Sequence, residues 1–209
     1  MPLPVPTPIF RIVHVANLDT ILRRGALHAT NHVPNDGLPY RTIHNVDIQN
    51  VRHGRAIPCG PGGTIHDYVP FYFGPRSPML YQLHTGWVAG YSEGQEPLVY
   101  LVTTAQAVET ARLGWVFSDG HGIARFTAWF DNLANLTRVD SDAVYAPWWK
   151  DTVDDMDRQR RKQAEFLVYQ SCPWDLITGI GVVNRAALTR VENIQNQFAE
   201  RLRRPVRVR

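Results

Sequence analysis

The stretch KQAEFLVYQ, residues 162–170, places one carboxylate, Glu165, directly before an apolar run. The β-branched and aromatic residues of this run are typical of a buried strand. Glutamate forms strands poorly and is rarely buried without a partner. Glu165 therefore either marks the solvated end of the strand or faces a site where a carboxylate stabilises a developing positive charge.

Strand and helix patterns mix along the rest of the chain without a regular alternation. Strands are predicted at 10–15, 67–73 (with Pro70 at an edge or bulge), 98–103, 165–169, 179–183 and 206–208. Helices are predicted at 18–24, capped by Asn17 and ended by Gly25, at 43–55, 103–114 and 126–136, and from Asn184 to just before Pro205. This order favours an α+β fold over a doubly wound sheet. The glycine signatures of dinucleotide-binding and P-loop folds are both missing from the sequence.

The composition is that of an ordinary globular chain. With 209 residues, 44% of them apolar and 20% charged, one domain spanning 1–209 is expected. A net charge of +3 permits a nucleic-acid partner without requiring one. No apolar run approaches about 18 residues, so a membrane span is not expected. The two cysteines predict no disulfide framework, and the Pro-rich start does not resemble a signal peptide, so we expect a cytoplasmic location.

Two central segments are candidates for a binding site. Residues 28–66 are rich in Pro, Gly, Asn and His, and connections this long are usually functional or disordered. Arg52, in this segment, could clamp a pyrophosphate, and Arg55 competes for that role. Residues 67–81 are dense in aromatic side chains, which predict either core packing or a wall for a flat ring.

The eight histidines give weak signals. His14 lies in an apolar strand, where a lone histidine is more often structural than functional. His121 lies in a Gly-flanked turn, where most histidines are surface residues. His28 and His32 have i,i+4 spacing but lack the accompanying HExxH motif, so a metal site is only weakly indicated and none is assigned.

A histidine on the first strand, an aromatic wall and a glutamate at the start of a late strand follow the order used by ADP-ribosyltransferases. NAD carries nicotinamide as a good leaving group, and loss of nicotinamide leaves an oxocarbenium-like ribose. A carboxylate near the ribose 2′-OH stabilises that transition state, as in glycosidases. This chemistry uses NAD as co-substrate and needs no metal.

Four blocks of sequence make the resemblance specific: HVANLDTILRRGAL (14–27), DYVPFYFGPRSPMLY (67–81), RRKQAEFLVYQSCPW (160–174) and RRPVRV (203–208). In this order they resemble the DarT family, the DNA ADP-ribosyltransferase toxins of DarTG toxin–antitoxin systems. The resemblance implies a PARP-like ADP-ribosyltransferase fold with a mixed central sheet flanked by helices. It also implies transfer of ADP-ribose from NAD to thymidine bases in single-stranded DNA within short motifs, which is pentosyltransferase chemistry.

The resemblance further implies roles for individual residues. Glu165 and Arg52 would be catalytic, and His121 would meet the DNA substrate. Residues 36–54 would cover NAD, and the segment from about 115 to 165 would bind the substrate. The residues implied to bind NAD are Val13, His14, Val15, Leu22, Thr30 and Arg52.

The same resemblance implies single-stranded DNA containing thymidine as partner, and a DarG-type macrodomain antitoxin that removes the modification. Two other acceptors for the same fold, RNA and protein, stay open. A non-catalytic module that binds single-stranded nucleic acid is the alternative from another class, based on the aromatic residues and the basic C-terminus. A metal-dependent nuclease built from the histidines is a third.

Overall fold

A central mixed sheet organises the computed structural model, which describes residues 2–209. The strands are β1 (Pro8–His14), β2 (Ala26–His28), β3 (Tyr68–Tyr72), β4 (Leu98–Thr104), β5 (Trp115–Ser118), β6 (Trp129–Phe130), β7 (Glu165–Tyr169), β8 (Ser171–Pro173), β9 (Gly179–Val182) and β10 (Val206–Val208). Eight of them form one sheet in the order β10-β9-β4-β1-β3-β7-β5-β6, and β2 pairs with β8 separately. The neighbours in the large sheet are antiparallel except for the parallel pair of β10 and β9.

Helices cover both faces of this sheet. They are α1 (Leu18–Arg24), α2 (Val46–Gly54), α3 (Pro78–Thr85), α4 (Ala105–Thr110), α5 (Ser141–Tyr145), α6 (Arg158–Lys162) and α7 (Arg185–Gln195). Successive side chains of β1 alternate between the faces, as strand geometry requires. Ile9 and Val13 join the main core beneath α1 and α7, whereas Ile12 joins a smaller cluster that includes Leu83 of α3. The mixed sheet between helices agrees with the predicted α+β class.

The two central strands β1 and β3 separate along most of their length. Their register has a single pair, Phe10 with Tyr72, whereas β1 pairs with β4 over its whole length. Pro70 lies where the strands part, and its carbonyl accepts a hydrogen bond from Arg11 on the β1 side. β3 is interior in the strand order, but Pro70 has no register partner on the β1 side, so it lies at a local edge as predicted, and its missing N–H faces the gap.

Most of the predicted elements are present, with three exceptions, and the structure adds the short strands β2, β5, β6 and β8 and the helices α3, α5 and α6. The helix predicted at 126–136 is wrong: residues 129–130 form β6, which pairs with β5, and a 3₁₀ helix follows at Leu133–Arg138. The helix predicted at 103–114 ends at Thr110, and the last helix ends at Gln195. Asn184 does cap α7, accepting a hydrogen bond from the N–H of Ala187, but the Asn17 side chain makes no cap bond.

Residues 2–209 contain no helix that combines the length and apolar character needed to cross a bilayer.

Candidate active site

A buried ion pair joins Arg52 of α2 to Glu165 of β7. Arg52 Nη1 donates to Glu165 Oε1 at 2.9 Å and Nη2 donates to Oε2 at 2.8 Å, so the contact is bidentate. Only 6% of Arg52 and 1% of Glu165 is exposed to solvent. A carboxylate this deeply buried is tolerated because it is paired and hydrogen-bonded.

The partner charges decide the ionisation of both groups. Burial alone would raise the pKa of Glu165, but the charge and hydrogen bonds of Arg52 outweigh it, and the net pKa lies below the ordinary value. Burial would likewise lower the pKa of Arg52, and Glu165 raises it above its ordinary value. Both groups are therefore charged at neutral pH.

Further hydrogen bonds hold Glu165 in place. The N–H of Gly122 donates to Oε1 at 3.2 Å, and the backbone N–H of Glu165 donates to Ser118 Oγ at 3.2 Å. Oε1 therefore accepts two hydrogen bonds, whereas Oε2 receives only the one from Arg52 among the contacts of residues 2–209. Since each carboxylate oxygen can accept two hydrogen bonds, Oε2 keeps one acceptor position for another donor.

The helix that carries Arg52, α2, lies over the site but buries few side chains. Arg52 is the only buried residue of α2, and Val46 and Val51 of the same helix are more than half exposed. The Asn45 side chain caps the helix by accepting from the N–H groups of Asp47 and Ile48. With so little apolar burial, the position of α2 depends on polar contacts: the Arg52 ion pair and the hydrogen bond of 3.0 Å between Gln49 Oε1 and His66 Nε2.

A cavity of about 120 Å³ lies between α2, α3 and the parted strands β1 and β3. Alternate residues of β3 face it, so Tyr68, Pro70 and Tyr72 line the cavity while Val69 and Phe71 belong to the main core. The aromatic block is therefore both core and wall, as the two-residue period of a strand requires. Tyr72 lies directly opposite Glu165 in the register of β3 and β7.

The predicted NAD-binding residues divide into two groups. Val13, Thr30 and Arg52 line the cavity, and so do Glu165, the predicted catalytic carboxylate, and His121, the predicted substrate contact. His14, Val15 and Leu22 do not line it. Leu22 is buried in the main core, and the N–H of Val15 donates to the carbonyl of Pro97.

His14 lies just behind the cavity, in contact with residues that line it. Its Nδ1 accepts from the N–H of Ala16 at 3.1 Å, and its Nε2 lies 3.3 Å from Arg41 Nη1 and 3.5 Å from Glu93 Oε2. Arg41, a cavity residue, bonds to the same carboxylate. Burial and the nearby Arg41 lower the pKa of His14, which keeps the ring neutral at pH 7.

His121 is also held neutral. Burial lowers its pKa, and the charge of Glu165 offsets this only in part. Its backbone is fixed by bonds from Thr127 Oγ1 to its carbonyl and from its N–H to the carbonyl of Arg160. Arg55, the competitor of Arg52, does not line the cavity, and its Nη2 donates to the carbonyl of Ala124.

Sequence reasoning missed several residues of the site. Gly122 and Ser118 act through a backbone N–H and a hydroxyl that accepts from the backbone, which carry no motif. Among the other missed residues, His44 also lines the cavity, and burial lowers its pKa to about 4. The Gly-flanked turn at 118–122 was the one available signal for the first two, since close backbone approach favours glycine.

Comparison with known proteins identifies the family. The family model described as DarT, ssDNA thymidine ADP-ribosyltransferase, matches residues 10–209. This chain belongs to the DarT family. A DNA ADP-ribosyl transferase of Thermus sp. (strain 2.9) is 45% identical over 202 residues, which cover 97% of this chain and 93% of the relative.

Solved structures of DarT superimpose closely on this chain. Thermus sp. 2.9 DarT in complex with ADP-ribosylated ssDNA matches with a TM-score of 0.93 and 42% identity, covering 100% of this chain and 97% of that chain. The same protein in complex with NAD+ matches with a TM-score of 0.88 and 42% identity, covering 99% of this chain and 97% of that chain. The predicted resemblance to DarT and the ADP-ribosyltransferase fold are thus confirmed. Within residues 2–209, no group of three or more His, Cys, Asp and Glu side chains is arranged to hold a metal ion.

Proposed function

We propose that this protein is a DarT toxin that transfers ADP-ribose from NAD to thymidine bases in single-stranded DNA and releases nicotinamide. The observation that carries the proposal is the buried, ionised Glu165, paired with Arg52 at the wall of a cavity, in a chain that belongs to the DarT family. The DarT of Thermus sp. 2.9, in complexes with NAD+ and with ADP-ribosylated ssDNA, supports the same substrates here.

Glu165 acts on the ribose. Its Oε2 retains an acceptor position and would take a hydrogen bond from the ribose 2′-OH. As the bond between ribose C1′ and the nicotinamide nitrogen breaks, nicotinamide leaves with the bonding electrons and positive charge develops on the ribose. A fixed carboxylate in a site that excludes water stabilises that charge more strongly than water does.

Arg52 acts through charge. A guanidinium stays protonated in proteins, so it is not a proton acceptor. Close to the acceptor, its charge would favour the deprotonated form of the thymine ring nitrogen, which then bonds to C1′ while its proton passes to solvent. His121, neutral at pH 7, lines the same cavity and would contact the thymine base at its wall.

The remaining predicted roles are retained on the basis of position. Val13 and Thr30 line the cavity and are proposed to contact NAD directly. The His14 side chain and the backbone at Val15 lie beside it, and Leu22 would act by packing under that strand. Arg52, rather than Arg55, is proposed as the pocket arginine, because it alone of the two lines the cavity.

Two segments are proposed to move or adapt around the substrates. A cavity of about 120 Å³ is smaller than the roughly 300–1,000 Å³ usual for ligand sites. Residues 36–54, which include the sparsely buried helix α2, would therefore shift outward to admit NAD and then cover it. The segment from about 115 to 165 would bind DNA and set the motif.

A DarG-type macrodomain antitoxin is proposed as partner, since a DNA-modifying toxin needs a means of reversal in the cell that makes it. A DNA substrate also supports the cytoplasmic location.

The test is mass spectrometry of a mixed-sequence single-stranded oligonucleotide after incubation with the protein and NAD. The expected product carries one added ADP-ribose on thymidine, and Glu165→Gln forms none. Glu192→Gln, an exposed glutamate of α7, is the matched control and retains activity. Parallel reactions with RNA and protein acceptors separate the alternatives. Modification of those acceptors alone, or equal activity of Glu165→Gln, would overturn the proposal.

A further inference from the structure

A second cavity, the sheet groove, lies on the face of the central sheet that is opposite to α1 and α7. Its volume is about 830 Å³, within the roughly 300–1,000 Å³ usual for ligand sites. Helix α3 separates it from the active-site cavity: Leu80 lines the sheet groove, Met79 and Gln82 line the active-site cavity, and no residue of 2–209 lines both. The floor and the two walls of the sheet groove are formed by Gly179 and Gly181, by Phe10 and Tyr100, and by Arg207 and Arg209.

Strand register sets the shape of the sheet groove. Gly181 of β9 pairs with Tyr100 of β4 on one side and with Arg207 of β10 on the other, so the three residues form one row across the sheet. Neighbouring strands lie about 4.8 Å apart, so the backbones of Tyr100 and Arg207 are roughly 9–10 Å apart with no side chain between them. A flat ring in van der Waals contact with both side chains needs about 7–8 Å. The row therefore leaves a slot for one aromatic ring.

The fold does not require glycine at either floor position. Gly179 and Gly181 both lack the positive φ that favours glycine. A methyl group added to Gly181 would lie 3.4 Å from Cβ of Tyr100, and one added to Gly179 would lie 3.6 Å from the carbonyl oxygen of Pro205, and both distances are ordinary contacts. Glycine weakens a strand, and within a sheet it often marks a place where a ligand approaches the backbone closely. The open floor is thus a property of the groove rather than a need of the packing.

The charges of the sheet groove favour an anionic ligand. Arg76, Arg207 and Arg209 line it and are exposed, and within residues 2–209 none of the three forms an ion pair. No Asp or Glu of that range lines the groove. Glu96, the one acidic residue adjacent in the chain to a lining residue, accepts a hydrogen bond from Asn184 Nδ2 at 3.2 Å. Guanidinium groups without a carboxylate partner are suited to bind a phosphate through paired hydrogen bonds.

We propose that the sheet groove is a binding site for a free nucleotide, with the base in the slot over Gly181 between Tyr100 and Arg207. Arg209 lies two residues further along the same face of β10 and would hold the phosphate. A nucleotide combines a flat ring with an anionic group, so it complements both the slot and the arginines. A mononucleotide rather than a DNA strand suits a cavity of this volume, and α3 separates the groove from Glu165. This second site is independent of the proposed transfer reaction.

Isothermal titration calorimetry with the 5′-monophosphates of deoxyadenosine, deoxyguanosine, deoxycytidine and thymidine tests the site. At least one of them is expected to bind, and its unphosphorylated nucleoside and inorganic phosphate should bind more weakly. Arg209→Gln removes a charged hydrogen-bond donor to the phosphate and should weaken binding by about 10- to 150-fold. Gly181→Val fills the slot and should abolish binding in the groove. Arg201→Gln, at an exposed arginine that does not line the groove, is the matched control and binds as the unmodified protein does.

Stability and activity give a second measurement. Gly181→Ala should raise the urea denaturation midpoint, because alanine loses less backbone freedom on folding and the added methyl group meets no clash. Gly25→Ala, at a φ of 66°, should lower the midpoint, because the backbone requires glycine there. Gly181→Val should transfer ADP-ribose with an unchanged KM for NAD, because the groove and the active-site cavity lie on opposite sides of α3.

The outcomes separate this second site from the proposed function. The nucleotide site is overturned if none of the four mononucleotides binds, if Gly181→Val and Arg209→Gln bind them as tightly as the unmodified protein, or if Gly181→Ala lowers the urea midpoint. Binding of a single-stranded oligonucleotide alone, weakened by the same variants, identifies a DNA path instead and also overturns it. If the groove binds a nucleotide but the unmodified protein transfers no ADP-ribose to any oligonucleotide, the proposed function fails and the second site stands.

Discussion

The ion pair between Arg52 and Glu165 makes a strong prediction about stability as well as activity. Glu165→Gln removes one charge and leaves the guanidinium of Arg52 buried without its partner. Breaking a buried pair in this way usually costs about 3–5 kcal/mol of folding free energy. We expect the low end, about 3 kcal/mol, because α2 buries only Arg52 and can lift to return the charge to water.

Urea denaturation at pH 7 measures this cost, and amide hydrogen exchange locates it. The midpoint should fall for Glu165→Gln, and exchange should accelerate most in α2. Arg52→Met should also destabilise the protein, since it leaves the carboxylate buried and unpaired.

The double variant Arg52→Met with Glu165→Gln separates the two roles of the pair. With both charges removed, we expect stability within about 1 kcal/mol of the unmodified protein, since apolar or neutral replacements of buried pairs are often tolerated. It should remain inactive, because the carboxylate that acts on ribose is gone. A folded, stable and inactive double variant shows that lost activity is chemical rather than a result of unfolding.

The reasoning has a clear point of failure. If the two single variants each lose less than about 0.5 kcal/mol and their effects simply add, the two residues do not interact in solution. The arrangement of α2 over the cavity would then be wrong.

Three further predictions follow from individual contacts. Asn45→Ala removes the cap of α2, so it should lower the free energy of unfolding by about 1 kcal/mol and raise KM for NAD in a steady-state assay. Asn184→Ala removes the cap of the remote helix α7, so it should lower the free energy of unfolding by as much and leave KM unchanged. Because folding lowers the pKa of Glu165, the stability that its ionised form contributes is present above the unfolded value of about 4.3 and is lost as the pH falls through the lower folded value, so an acid titration should narrow the difference in unfolding free energy between the unmodified protein and Glu165→Gln. Burial lowers the pKa of Lys162 to about 8, so the free energy of unfolding of the unmodified protein should rise relative to that of Lys162→Met between pH 8 and about 10.4. Urea denaturation midpoints of the two proteins measure this difference, and a difference that does not change with pH would contradict the burial of that charge.

Several features of the site could be read from the sequence because they are local. The acid at the head of an apolar run, the order of the four blocks and the strand–helix opening ended by Gly25 depend on residues close together in the chain. They were sufficient to predict the fold class and the family. The alternation of Tyr68, Pro70 and Tyr72 also follows from the period of a strand, once its central position is known.

Pattern reasoning failed where distant segments compete for the same residues. The apolar spacing at 126–136 fits a helix, yet Trp129 and Phe130 pair with β5 because the sheet offers them partners. Local propensity is a weak prior against such pairing. The gap beside Pro70 likewise exists only because β1 diverges from β3, which no local pattern shows.

The sequence by itself determined that Glu165 heads a buried strand and that the chain carries the blocks of the DarT family, since both are written in consecutive residues. Only the tertiary structure decided that Arg52 rather than Arg55 meets this carboxylate, across 113 positions of sequence. It also decided that Gly122 completes the site. The physical reason is that a charge is stable in a protein interior only when its partners are fixed at hydrogen-bond distance, and packing of the whole chain sets those distances.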